Sequence, residues 1–542
     1  MAPDLEDTEQ IPARVTARRD SGVARNTAIF SIATGLSRIA GLIREVVARS
    51  YFGTSGAASA FTLAFQLPNL VRSLFADAAL SAAFVPVFTE MLEQNRKKDA
   101  FQLASTLFFV ILAALGAVTA FFILGAGVIM PLFTGAKFDH HLVDLTVGLS
   151  RVLFPIVLLL GLNGLIVGIL NAYGHFSVPA IAPLVWNVVI IGSLVVLRTH
   201  FHGDNQLYAY AIGVLIGTVV QLAMAIPVLG RLDFRLTVHF DRHDPRVKQV
   251  FKLMFPVTLG LGIINFDLII NSGLGTLVSD QAPSAIDAAF RIYMLPQGMF
   301  SVALATVLFP SLSRLAARQD YDGLRATMST GVRQIFLLLV PAAVFTLVLA
   351  TPITRLIYER GSFGNHSTDL VSTALFWFSF SLPFAGANLL LTRTFFSLQQ
   401  PWIPTRLAGA NLLVNAVISL ALYKPFGVAG LVIGTAVASA GMTVLQAVYL
   451  RRLLEGSLEG YDLVRALARI SVASILLGVA SYCTWWLIDD VLGRSLPAEL
   501  LSVGCAAAAG FWIYMRAVLR MHIAEAEQIQ RLVEGRLRRR AT

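Results

Sequence analysis

The stretch "GLSRIAGLIREVVARSYFG", residues 35–53, lies in the first apolar window of the chain, yet it carries Arg38, Arg44, Glu45 and Arg49. An arginine at membrane depth costs roughly 2.5 to 3.5 kcal/mol on insertion scales, so such residues generally face a cavity or a partner. Whether this stretch is a membrane span decides the fold, and the rest of the chain says that it is.

Of 542 residues, 56% are hydrophobic and 14% are charged, the composition of an integral membrane protein. Apolar windows of about 20 residues, long enough to cross a bilayer, recur from near residue 27 to near residue 519 and leave no room for a folded soluble domain. The first 26 residues are polar, with Arg14, Arg18, Arg19 and Arg25, and lead into the first window without a small-residue cleavage pattern, so no removable signal peptide is expected. Cys483 and Cys505 fall in apolar windows and give neither a disulfide framework nor a metal-ligand set.

The reading is an all-α polytopic membrane protein of about fourteen transmembrane helices. The spans are expected at 27–52, 57–90, 101–133, 144–171, 176–197, 207–229, 248–278, 285–313, 327–358, 367–398, 402–423, 426–450, 464–489 and 497–519. A cytoplasmic N-terminus puts the basic segments inside: Arg14 to Arg25, "NRKK" at 95–98, "GRLDFRLTVHFDRHDPRVK" at 230–248, Arg314 to Arg325, Arg451, Arg452 and Arg465, and "RLRRR" at 536–540. An even count with both ends inside satisfies the positive-inside rule, so the net charge of +10 signals topology and not nucleic acid. The stretch "AEAEQIQRLVEGRLRRR" has apolar residues near helical spacing and reads either as an interfacial helix or as a solvated tail.

A duplication runs through the chain. "LP" at Leu67 and Pro68 returns at Leu295 and Pro296, an offset of 228, and the same offset carries Pro155 onto Pro383. "FSVPAIAPLVWN", with Pro179 and Asn187, answers "PWIPTRLAGANLLVN", with Pro404 and Asn415. The reading is two six-helix repeats plus two C-terminal helices. Its segments are a cytoplasmic polar tail (1–26), an N-lobe (27–229), a cytoplasmic loop (230–247), a C-lobe (248–451), a final helix pair (464–519) and a basic cytoplasmic tail (520–542). Six helices per repeat give both lobes the same orientation, an arrangement in which transporters place substrate between halves and expose it to alternate sides.

Arg38 and Arg72 fall mid-span, whereas Arg44 and Arg291 fall in the outer halves of the first and eighth spans. Each could snorkel to an interface or pair with a local acid such as Glu45, Asp77 or Asp287. Arginines lining an aqueous cleft favour an anion instead, because guanidinium forks grip phosphate oxygens in a bidentate way and stay charged. A cation exporter would need acids there, and Asp77, Asp267 and Asp287 are a minority. "FDHHLVD" at 138–144 and "HFDRHD" at 239–244 read as solvated loops, so no metal is expected, and no nucleophile and base set is visible.

The series "SRIAGLIREVVARSYFGTSGAASAF", "LAFQLPNLVRSLFA", "AAFVPVF", "FPIVLLLGLNGLIVGILNAYGHFSVPAIAPLVWN", "LFPSLSRLAA" and "FFSLQQPWIPT" resembles the MurJ (MviN) family of lipid II flippases from about residue 27 to 520. The resemblance implies a member of the multidrug/oligosaccharidyl-lipid/polysaccharide exporter superfamily. It also implies that the protein flips undecaprenyl-pyrophosphate-linked peptidoglycan precursor, lipid II, from the inner to the outer leaflet of the cytoplasmic membrane. By motif it makes Arg38, Arg44, Arg72 and Arg291 the substrate-binding residues and gives the last two helices a lipid-tail groove.

Ser59, Gln400 and the pair Phe290 and Met294 stand where family members carry acids, which puts acid-based proton coupling in doubt. Expected partners are lipid II, membrane lipids and cell-wall synthesis proteins, the chain being a monomer that binds no nucleic acid and needs no cofactor. The competing readings are a related polysaccharide-lipid flippase, a multidrug antiporter, a membrane enzyme on polyprenyl-phosphate lipids, and a non-transporting scaffold.

Overall fold

A computed structural model describes residues 13–75, 78–232, 234, 236, 237, 245–454, 460–523 and 525–527, with side chains described except at 13–31, 72–75, 78–83, 251, 253–265 and 460–462. Arg14, Arg18, Arg19, Arg25 and Arg72 fall among the excepted side chains. Asp77, the "HFDRHD" loop and "RLRRR" lie outside the described residues.

Every expected span falls on helix. The first is α1 (Ala13–Phe52), which starts within the stretch read as a polar tail. The second is described as α2 (Gly56–Phe75) and α3 (Ala78–Glu93), on either side of residues 76 and 77, which lie outside the described residues, and the third is α4 (Lys97–Ile129). The fourth breaks at Phe154 into α5 (His140–Leu153) and α6 (Pro155–Ala172), followed by α7 (Ser177–Leu197) and α8 (Leu207–Gly230). The seventh is α9 (Pro245–Gly275), and the eighth runs through α10 (Ala282–Pro296), one π turn (Gln297–Ser301) and α11 (Val302–Ala317). The ninth is α12 (Tyr321–Val348) with α13 (Ala350–Tyr358). The last five are α14 (Asn365–Ser397), α15 (Trp402–Phe426), α16 (Val428–Leu453), α17 (Gly460–Leu492) and α18 (Leu496–Arg520).

Among the described residues, 11 helical segments are long and apolar enough to cross a membrane. The spans beyond those 11 are α1, α2 with α3, and α9. All three contain residues whose side chains lie outside the described set, and the described part of α1 carries Arg38, Arg44, Glu45 and Arg49.

The paired prolines act differently. Pro68 stays inside α2, whereas Pro296 closes α10 and hands the chain to the π turn, which absorbs the backbone bond a proline cannot make. Pro155 opens α6 after the break, while Pro383 sits inside an uninterrupted α14. The paired asparagines act alike: Asn187 on α7 donates to the Ser37 carbonyl on α1 at 3.4 Å, and Asn415 on α15 donates to Asp267 on α9 at 2.6 Å. In each case the fifth helix of the sequence repeat is tied to its first.

The described residues form two compact units, one of residues up to Ala48, Val71–Leu124 and Arg151–Thr258, the other of Arg49–Leu70, Gly125–Ser150 and Leu259 onward. In the first, Phe84 and Phe88 of α3 are fully buried against α6, where Gly168 leaves room for the Phe84 ring. Small residues also bring α7 and α8 together, since a Cβ at Gly217 would stand 3.1 Å from Trp186.

In the second unit, α12, α17 and α18 form a block: the Tyr514 hydroxyl donates to the Leu337 carbonyl at 2.6 Å, Arg469 donates to the Met521 carbonyl at 3.1 Å, and Arg333 pairs with buried Glu525. The turn after α1 is clasped to the segment between α13 and α14. Ser362 N–H donates to the Ser50 carbonyl at 2.8 Å, and Thr54 Oγ1 donates to Ser367 Oγ at 2.8 Å. Gly53 and Gly361 have φ of +56° and +59°, and a Cβ at either would run into the backbone opposite, Ser362 for Gly53 and Ser50 for Gly361.

Candidate functional site

The charges of α1 divide between its faces. At 3.6 residues per turn, Arg38, Glu45 and Arg49 fall on one stripe, and Arg44 points about a third of a turn away. Arg38 is exposed and makes no hydrogen bond or ion pair among the described residues. Arg44 is half-buried against α7, with its guanidinium carbon 4.9 Å from the centroid of the Trp186 ring. Its Nε is buried and has no hydrogen-bond partner among the described residues.

Neighbouring helices hold that platform still. Trp186 Nε1 donates to Thr218 Oγ1 at 3.1 Å, and the same hydroxyl donates to the Val214 carbonyl at 2.8 Å, which aligns it on α8. Gly41 admits Asn187 beside α1, so helix and platform lie close. The ring satisfies one face of the guanidinium electrostatically but offers no acceptor to the N–H groups. A cation so placed keeps donors for an anion.

In the second unit, Arg291 Nε donates to Asp287 Oδ2 at 2.9 Å, one turn back on α10. The same oxygen accepts from Arg49 Nη2 at 2.9 Å, and Arg49 Nη1 also donates to Ser284 Oγ. Arg49, Asp287 and Ser284 are all buried, while Arg291 keeps 36% of its side chain exposed. Ser59, where the resemblance implies an acid in other members, is fully buried and accepts from the Ser284 backbone N–H at 3.1 Å. An ionised carboxylate at Ser59 would be an added charge in a buried corner. Phe290 stacks on Tyr293 and meets Phe378, Met294 is exposed, and Gln400 is exposed beyond the end of α14.

A separate polar core joins α9, α15 and α16. Asn415 Nδ2 reaches Asp267 Oδ1 and, at 3.1 Å, Asn271 Oδ1, and Asn271 Nδ2 donates to Thr435 Oγ1 at 2.9 Å. Asp139, of the histidine loop, accepts from the His141 backbone N–H at 2.9 Å, a local turn contact. Among the described residues no set of three His, Cys, Asp or Glu side chains is placed to hold a metal ion.

Of the four arginines singled out in sequence, Arg38 and Arg44 thus belong to the first unit and Arg291 to the second, and the Arg72 side chain lies outside the described set. The sequence reading missed Arg49, whose signal was its position eleven residues beyond Arg38 on the same stripe.

A family model described as "Lipid II flippase MurJ" matches residues 48–501, a window that contains Arg72 and Arg291 and begins after Arg44. The lipid II flippase MurJ of Burkholderia cenocepacia is 32% identical over 425 residues, covering 77% of this chain and 82% of that protein. The probable lipid II flippase MurJ of Treponema pallidum is 29% identical over 441 residues, covering 80% and 82%. Among solved structures, a lipid II flippase MurJ in an inward closed conformation superposes with a TM-score of 0.75 at 22% identity, covering 91% of this chain and 99% of that one. An inward-facing multidrug resistance transporter of the MATE family in the MOP superfamily superposes with a TM-score of 0.66 at 14% identity, covering 79% and 94%.

Proposed function

The chain belongs to the MurJ family of lipid II flippases, and on that premise we propose that it carries undecaprenyl-pyrophosphate-linked peptidoglycan precursor from the inner to the outer leaflet of the cytoplasmic membrane. Arg38, Arg44, Arg72 and Arg291 hold the pyrophosphate while the site is exposed to one side of the membrane and then the other. Fourteen helices cross, both termini are cytoplasmic, the lobes are 27–229 and 248–451, and the last two helices carry the polyprenyl tail. The protein works as a monomer.

The observation that carries this reading is Arg44, a membrane-helix cation seated on an aromatic ring with a buried Nε that has no partner among the described residues. A buried charge without an acid is costly to keep, and an anionic substrate supplies what the fold withholds. A cation antiporter gains nothing from such a group.

The test is complementation of a strain depleted of its own lipid II flippase, scored by a leaflet-resolved lipid II assay with protein abundance measured in the same membranes. Restored flipping by the wild type and loss with Arg44→Ala at equal abundance is the expected result. Growth without lipid II movement would instead point to a scaffold.

A further inference from the structure

Arg291 lies on α10, in the outer part of the eighth span, and Phe309 lies 18 residues further on, in α11. At 1.5 Å per residue the two are about 27 Å apart along the span. Over the Phe309 ring sits an arginine that the sequence reading did not single out. Arg393 comes from α14, four residues before that helix ends at Ser397, and its guanidinium carbon is 5.3 Å from the ring centroid. With the N-terminus cytoplasmic, α14 ends on the inner side of the membrane.

Arg393 is half-buried and makes no hydrogen bond or ion pair among the described residues. Other arginines of the second unit are paired: Arg325 with Asp322, Arg333 with Glu525, and Arg355 with Glu359 and Glu499. The two helices that meet at Arg393 offer it no such acid, since α11 has no acidic residue and α14 has only Asp369, 24 positions earlier. Its polar neighbours are engaged elsewhere. Thr392 accepts from the fully buried Gln446 at 3.0 Å, and Asn388 donates to the Ser439 carbonyl at 3.1 Å, so that edge of α14 is taken up by α16. Arg393 stands about 100° round the helix from Thr392, against α11.

We propose that Arg393, seated on Phe309, is a phosphate-binding residue on the inner side, where it receives the pyrophosphate of the polyprenyl lipid as it enters from the cytoplasmic leaflet. This rests on the reading of the chain as a carrier of that lipid. The ring supports one face of the guanidinium and leaves the N–H edges, which lie in the guanidinium plane, for a pair of phosphate oxygens. The phosphodiester of an ordinary phospholipid is the competing occupant. It carries one negative charge where a pyrophosphate joining two substituents carries two, which makes the pyrophosphate the better match to a partly buried fork.

The experiment is binding of undecaprenyl pyrophosphate, and of undecaprenol as a probe without phosphate, to the purified full-length protein in phosphatidylcholine nanodiscs, with thermal unfolding of each variant measured alongside. Arg393→Gln is expected to weaken pyrophosphate binding about tenfold and to leave undecaprenol binding unchanged. Phe309→Leu, which removes the platform and keeps the guanidinium, is expected to weaken pyrophosphate binding about two- to fivefold. Nanodiscs of equal parts phosphatidylcholine and phosphatidylglycerol are expected to leave the difference between wild type and Arg393→Gln in place.

Wild-type pyrophosphate binding by Arg393→Gln overturns the inference. So does an equal loss for both probes, the mark of a merely structural arginine, and so does a difference that vanishes in phosphatidylglycerol, the mark of a headgroup site. Wild-type protein that does not bind undecaprenyl pyrophosphate overturns the underlying reading and the inference with it. Binding by wild type that is lost in Arg44→Ala but unchanged in Arg393→Gln overturns the inference alone.

Discussion

The Arg44 guanidinium lies 4.9 Å from the centroid of the Trp186 ring, and that indole is itself hydrogen-bonded to Thr218. A cation over an indole gains about 0.5 to 2 kcal/mol depending on desolvation. Trp186→Leu is therefore expected to lower flipping about two- to thirtyfold at unchanged abundance, with Trp186→Phe retaining more. Equal flipping by Trp186→Leu and wild type, in the leaflet assay, would show that the platform is decorative.

If the guanidinium fork is what matters at Arg38, Arg44, Arg72 and Arg291, then Arg→Lys impairs transport although charge is kept. The loss of one charge-assisted hydrogen bond, roughly 1.5 to 3 kcal/mol, corresponds to about tenfold or more. Arg38→Lys and Arg72→Lys proteins that flip normally at wild-type abundance sink the bidentate assignment. Normal flipping by the corresponding Ala variants sinks the site.

The clasp offers a test of alternating access. With the N-terminus cytoplasmic, the turn after α1 lies on the outer side, where Thr54 and Ser367 hydroxyls stand 2.8 Å apart. In a background with Cys483 and Cys505 replaced by Ser, Thr54→Cys with Ser367→Cys is expected to cross-link on oxidation, stop flipping, and recover on reduction. Undiminished flipping by the cross-linked form counts against the mechanism.

Gly53 and Gly361 should resist substitution. Each has positive φ, which costs a side-chain-bearing residue roughly 1 to 2 kcal/mol. A Cβ at Gly53 would in addition stand 2.6 Å from the Ser362 carbonyl oxygen. Gly53→Ala is expected to lower the thermal midpoint of the detergent-solubilised protein, whereas Gly35→Ala, which meets nothing within 4 Å on a regular helix, is expected to leave it level or raise it. A neutral Gly53→Ala would mean that the clasp is not held as described.

Topology can be read by labelling single cysteines in whole cells. Positions in 236–245 and in the C-terminal tail are expected to react only after permeabilisation, and Lys137→Cys to react from outside. External labelling of the tail would overturn the cytoplasmic placement of both ends.

The helices were legible because a membrane span needs a long apolar run, and that signal survives without any knowledge of neighbours. Breaks inside spans were not. Nothing in the sequence distinguishes Pro155, which opens a new helix, from Pro383, which does not, because the difference lies in what packs against each. The site was legible in part for the same reason. Arg38 and Arg44 stand out against apolar neighbours and helical spacing sets them on different faces, but which of those faces meets α7 is decided by packing. Arg49 was passed over because its worth depends on Asp287, a partner that no local spacing reveals.

That partnership also has a timetable. Synthesis proceeds at roughly 5 to 20 residues per second, so Asp287 emerges about 12 to 48 s after Arg49, which precedes it by 238 residues. Through that interval Arg49 waits for the carboxylate that it meets at 2.9 Å in the finished fold. The end of α1 can settle at its final depth only after α10 arrives, so the first helix to be made is among the last to be finished.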